Sequence, residues 1–151
     1  MSKLWGPCTW YLFHTLAEKI KEDRFGIIKT ELIDIIKQIC RSLPCPDCAG
    51  HATNRLRHLN VNNIKNKTDF KRMLLDFHNE VNVKTNKPTF SVVELNTKYS
   101  LAKTGNVIQH FMHIWSRKNT HPKMMTETLH KNIATDNFMR WWHINHIHFL
   151  A

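Results

Sequence analysis

The sequence predicts an all-α fold, on three observations: apolar residues recur at helical spacing along most of the chain, no segment alternates convincingly as a strand, and Gly (4) and Pro (5) are too scarce for a loop-dense β fold. At 151 residues, 42% hydrophobic and 23% charged, the chain suits a compact core that needs no disulfide staples.

The first helix is predicted over residues 5–23, where Trp10, Phe13, His14 and Ala17 fall at helical spacing. The second, over 26–41, repeats the pattern with Ile27, Ile28, Leu32, Ile35, Ile36 and Ile39. Ser42-Leu43-Pro44 breaks it, and Pro46 suits the first turn of a third helix running through Cys48, His51 and Leu56. Asn60 to Lys67 reads as a polar loop. Thr68 then caps a fourth helix that carries Phe70, Met73, Leu74, Phe77 and Val81 and stops at Asn86-Lys87-Pro88. Ser91-Val92-Val93-Glu94 is a capping box, so a short fifth helix should reach about Leu101, with Gly105 as punctuation. Residues 106–151 read as two or three more amphipathic helices. One holds Val107, Ile108, Phe111, Met112 and Trp115, and the last holds Phe138, Met139, Trp142 and Ile144.

The formal net charge of +10 attracts acidic surfaces, nucleic acid among them. The basic residues are dispersed, however, with no dense run or arginine-rich arm, so a dedicated nucleic-acid function is not expected. The N-terminal apolar stretch is interrupted by His14 and lacks a small-residue cleavage site, and no apolar run is long enough to span a membrane. A soluble cytoplasmic protein is the expectation.

Four cysteines stand at positions 8, 40, 45 and 48. Inside a cell a close pair signals metal or redox chemistry rather than a structural disulfide. Cys45-Pro46-Asp47-Cys48 places two thiols at a helix start, where unpaired N–H groups and the helix dipole favour a thiolate. Half of a zinc site is the competing reading, with His51 as a third ligand. The spacing leaves both open. A thioredoxin frame does not fit, because helices flank the motif on both sides. Cys8 and Cys40, inside helices, read as buried thiols acting as small hydrophobes.

Three separated segments resemble the FAD-dependent sulfhydryl oxidases of the Erv/ALR family. Trp5-Gly6-Pro7-Cys8-Thr9-Trp10-Tyr11-Leu12-Phe13-His14 is similar to the family's Trp-x-x-Leu-His opening helix, with Phe13 in place of the usual Leu. Leu43 to His51 is similar to its active-site disulfide. His78-Asn79-Glu80-Val81-Asn82 followed by Lys87-Pro88 resembles its flavin signature, and Tyr99 falls where an aromatic residue is usual. Taken from the residues alone, the pairs Trp10/His14 and His78/Asn82, each four apart on one helical face, read as ordinary core-facing or polar-face residues.

The resemblance implies a four-helix bundle with a short fifth helix, here with additional C-terminal helices, and commonly a homodimer. It implies an enzyme that forms disulfides in protein dithiols, or in a thioredoxin-like relay protein, and passes electrons through FAD to oxygen to give hydrogen peroxide. Cys45 and Cys48 are the implied catalytic pair. Trp5, Gly6, Trp10, His14, Cys48, His51, His78, Asn79, Val81, Asn82, Lys84, Lys87 and Tyr99 are the implied FAD contacts. A zinc-binding or basic nucleic-acid-binding helical module is the alternative.

The sequence departs from the family in three ways. Leu75 and Val92 stand where a structural disulfide is usual, residues 49–151 hold no shuttle cysteines, and residues 104–151 match nothing in the pattern. The compact form resembles the versions carried by large cytoplasmic DNA viruses, which implies a place in the host cytoplasm or the virion. The chain is therefore divided into an oxidase domain, 1–103, and a helical extension, 104–151, packed on the core or across a subunit interface. His143, His146 and His148 do not share a helical face at 3.6 residues per turn, so no metal site is expected there.

Overall fold

The computed structural model describes residues 4–116 and 125–151, without the side chains of residues 125–128. It is all-α: α1 (Trp5–Lys19), α2 (Phe25–Arg41), α3 (Pro46–Arg57), α4 (Lys67–Lys84), α5 (Val92–Ser100), α6 (Thr104–Trp115) and α7 (Met125–Asn145), with short 3-10 turns at Val61–Asn63 and His146–His148. Among the described residues there is no strand, only an isolated antiparallel bridge between Ile20 and Phe149.

Helix α1 is the centre of the fold and packs against α4, α5 and α6, while α2 packs against α3 and α7. One continuous apolar core joins Leu12, Phe13 and Leu16 of α1 to Leu32 and Ile36 of α2, Phe70, Leu74 and Phe77 of α4, Phe111 and Trp115 of α6, and Phe138 of α7. The row of isoleucines down α2 supplies a broad apolar face. An ion pair between Lys71 and Glu18, 2.5 Å, ties α4 to α1.

Local signals set most helix ends. Pro46 occupies the first turn of α3, and at α5 both halves of the capping box form, Ser91 Oγ accepting from Glu94 N and Glu94 Oε2 from Ser91 N. Five details differ from expectation. Ile27, expected on the apolar face of α2, is 67% exposed. Helix α1 stops at Lys19 instead of 23, because Ile20 turns extended and the chain on either side bonds to the C-terminus, Lys21 N–H to the His148 carbonyl and Leu150 N–H to the Lys19 carbonyl. Helix α4 is capped by Asn66, whose Oδ1 accepts from Asp69 N at 2.8 Å, so Thr68 lies inside the first turn. Gly105 also lies inside a helix, in the first turn of α6. Ile144 is 70% exposed, because the core side of α7 runs through Ala134, Phe138, Trp141 and Asn145.

Candidate functional site

Cys45 is the N-cap of α3. Its backbone is extended, and its Sγ accepts from Cys48 N–H at 3.3 Å, in place of the oxygen that a serine or aspartate cap would offer. The two thiols are not bonded to each other, Cys45 half-buried and Cys48 exposed. The Cys48 thiol is pushed up to about 11, first by desolvation, then by the hydrogen bond and charge of Cys45 and the charge of Asp47, against a lowering backbone hydrogen bond. The residue is exposed, so solvent relaxes the burial contribution, and the neighbouring negative charges are the durable part. The thiolate-favouring helix entrance expected for the pair is opposed at Cys48: when both thiols are free, the charge of one opposes the charge of the other. Cys8 and Cys40 are buried, and burial pushes their thiols up to about 11 and about 12, as befits inert side chains.

A second set of residues meets where α1, α4 and α5 converge. Trp10 stacks on His78 with centroids 4.1 Å apart and planes 5° apart, and on His14 at 5.8 Å. His14 Nε2 and His78 Nδ1 are 2.8 Å apart, so one donates and the other accepts. Phe77, Phe90 and Tyr99 close the cluster from α4, the following loop and α5. His14 is held down to about 3 by burial, then by the charges of His78 and Lys98, and His78 to about 4 by burial, then Lys98 and Lys87. Both rings are neutral near pH 7. Burial drives the Tyr99 hydroxyl well above its usual range.

The loop after α4 is built by its own residues. Asn86 takes a left-handed conformation, φ 58°, which Asn tolerates better than most residues, and the chain folds back so that Lys87 N–H bonds the Asn82 carbonyl at 2.7 Å. Asn79 then grips Phe90 with both ends of its amide, Nδ2 donating to the carbonyl and Oδ1 accepting from N–H, each at 2.9 Å. The loop is thereby fixed with Phe90 against His78.

Helix α3 reaches α4 one turn beyond Cys48. His51 Nδ1 lies 3.4 Å from Lys84 Nζ, and Arg55 Nε donates to Glu80 at 2.7 Å while its guanidinium covers the Phe77 ring. The structure thus brings Trp10, His14, His78 and Tyr99 into one cluster and joins His51 to Lys84. Asn79 and Asn82 are turned to holding the loop, Asn82 being buried beneath it, and Val81 packs half-buried on the core. Trp5 and Gly6 lie in the first turn of α1, where the Trp5 carbonyl accepts from Thr9 and a side chain at Gly6 would meet nothing within 4 Å. Among the described residues no three His, Cys, Asp or Glu side chains are grouped to hold a metal ion.

Two members of the cluster were missed in the sequence. Lys98 holds its ammonium over Tyr11, Phe90 and Tyr99, at 5.5, 5.6 and 5.4 Å from the ring centroids, and its charge acts on both histidines. Phe90 is the ring that Asn79 positions. Adjacency to Tyr99 and to the Ser91 cap was the only signal either residue carried.

An FAD-linked sulfhydryl oxidase of African swine fever virus (isolate Pig/Kenya/KEN-50/1950) is 34% identical over 102 residues, 66% of this chain and 85% of the relative. Protein 347L of Invertebrate iridescent virus 6 is 29% identical over 91 residues, 56% of this chain and 82% of the relative. The FAD-linked sulfhydryl oxidase ERV1 of Oryza sativa subsp. japonica is 28% identical over 94 residues, 62% of this chain and 48% of the relative. No solved structure gives a significant match. The Erv1 / Alr family model matches residues 7–100, a span that takes in α1 from Pro7 on, the Cys45/Cys48 helix, the His78 helix and α5 and stops short of α6, and on that match the chain belongs to the Erv1 / Alr family.

Proposed function

We propose that this protein is an FAD-linked sulfhydryl oxidase that forms disulfides in protein dithiols through Cys45 and Cys48. The observation that carries the reading is the junction of the two site halves: α3, with the cysteine pair at its start, is tied through His51–Lys84 and Arg55–Glu80 to α4, which presents His78 to the ring cluster.

The residues fit an aromatic, anionic dinucleotide. Stacked rings offer faces, Lys84, Lys87 and Lys98 offer positive charge, and His14 Nδ1 and His51 Nε2 are buried nitrogens with no hydrogen-bond partner. Trp10, His14, His78 and Tyr99 would hold it, with Lys84, Lys87 and His51 toward its charged groups and Asn79, Val81 and Asn82 shaping the wall. FAD bound there would supply the two-electron acceptor for the reduced pair, with oxygen as the final oxidant and hydrogen peroxide as the proposed product.

In the oxidised pair, a substrate thiolate attacks Cys45 Sγ; the Cys45–Cys48 bond breaks, a mixed disulfide forms and Cys48 leaves as a thiolate. A second substrate thiol, losing its proton, displaces Cys45 and closes the substrate disulfide. Two thiols are oxidised, and the pair is left reduced with two electrons to return. In the mixed disulfide Cys45 carries no charge and accepts no thiol hydrogen bond, so two causes that hold Cys48 protonated vanish when it must be a thiolate.

A protein dithiol or a thioredoxin-like relay protein is the proposed donor, a homodimer the proposed assembly, and the host cytoplasm or virion the proposed place of action. No described helix is long and apolar enough to cross a membrane. The purified protein should be yellow, and Cys45→Ser and Cys48→Ser should each abolish dithiothreitol oxidation while keeping the flavin. Full turnover in either variant, or a colourless protein carrying stoichiometric zinc, would sink the reading.

A further inference from the structure

A groove of about 460 Å3 runs between α2 and α7. Buried Ile35 and Trp141 make its floor, and Glu31, Asp34, Lys37 and Arg41 line it from α2. The charges are ordered. The acids Glu31 and Asp34 stand toward the start of α2, and the bases Lys37 and Arg41 toward its end. No ion pair joins any of the four to another described residue, although Glu31 accepts a hydrogen bond from Trp141 Nε1 at 3.3 Å. Four residues past Arg41 the chain reaches Cys45. Trp141 belongs to α7, beyond the family match that ends at Ser100.

We infer that this groove docks the polypeptide beside the reacting cysteine of a protein substrate. The inference rests on the oxidase reading and names its substrate class: an extended segment with acidic residues next to its cysteine, facing Arg41 and Lys37, and basic residues further off, facing Asp34 and Glu31. From Glu31 to Arg41 the helix rises about 15 Å, the length of about four extended residues. An apolar side chain midway would lie on Trp141. Lone charges on a surface helix are cheap to solvate, but four charges with no ion-pair partner among the described residues, sorted by sign around an apolar floor, present a complementary face to one orientation of peptide only.

The test uses the full-length protein and two dithiol peptides of equal composition. One carries acidic residues beside its cysteines and basic residues four positions away, and the other has the charges exchanged. With a few exposed charge contacts at low salt, kcat/KM should favour the first peptide by about fivefold. Lys37→Glu/Arg41→Glu should abolish or invert that preference, with dithiothreitol turnover and flavin absorbance unchanged, because dithiothreitol is too small to span the groove. Equal handling of both peptides by the native protein overturns the inference, as does a preference that survives the double reversal. A dimer by light scattering that the double reversal dissociates also overturns it, since a second copy would then fill the groove. If the native protein fails to oxidise dithiothreitol, the oxidase reading falls and takes this inference with it.

Discussion

Lys98 adds its charge to what burial already imposes on the two histidines of the site. Its ammonium is held by three ring faces, a cation–π arrangement worth roughly 0.5–1 kcal/mol per ring where exposed, and it faces two histidines that burial already disfavours as cations. His14 and His78 therefore stay neutral while folded, at about 3 and about 4, against 6.5 in a free chain. The folded-state values are depressed, so the unfolded chain takes up protons first as pH falls. The stability these rings contribute is whole above pH 6.5 and is lost progressively from there toward pH 4 and below. The melting temperature should fall across that window, and His14→Gln/His78→Gln should flatten the dependence. A pH profile that the double variant leaves unaltered would show that the pair is not the titrating element.

At the scale of elements, the end of α4 matters most to the site, because the loop that follows carries Lys87 and Phe90. Its turn depends on Asn86 at φ 58°, with the Lys87 N–H and Asn86 N–H bonded back to Asn82 and Val83. Asn86→Gly should be neutral or slightly stabilising. Asn86→Val should cost about 1–2 kcal/mol, the penalty of a left-handed L-residue, measured as a shift in the denaturant midpoint. A harmless valine would mean the loop is held by Asn79 alone. Helix limits of this kind were readable where their causes are local: Pro46 at the start of α3 and the Ser91–Glu94 box lie within a turn of the ends they set. The end of α1 was not readable, since the residues that stop it, His148 to Leu150, lie at the other end of the chain.

For the whole molecule, α6 and α7 belong to the same core as α1 and α2. Trp115 is fully buried, and its Nε1 donates to Thr9 Oγ1 at 2.9 Å, which in turn donates to the Trp5 carbonyl at 2.6 Å. Thr104 Oγ1 donates to the Leu150 carbonyl, joining the start of the extension to its end. Each buried aromatic side chain here contributes roughly 1.5–3 kcal/mol by leaving water. Truncation after Lys103 should therefore uncover the α1 and α2 surfaces and give aggregation or a changed assembly by light scattering. A monodisperse truncated protein with the assembly state of the full chain would overturn the view that residues 104–151 serve as packing for the family domain.

The sequence by itself determined the run of helices, the capping box of α5 and the residues able to carry chemistry, because these depend on neighbours within about four positions: a thiol pair with two residues between, Trp10 and His14 on one face, Ser91 and Glu94. The tertiary structure alone decided what those residues meet. His14 bonds His78 across 64 residues, Trp115 bonds Thr9 across 106, and Trp141 bonds Glu31 across 110. A side chain's protonation and availability follow from its desolvation and its neighbours, and only packing assigns those. That is why Lys98 went unnoticed, why Asn79 proved to hold a loop, and why the Cys48 thiol stands high at a helix start that favours a thiolate.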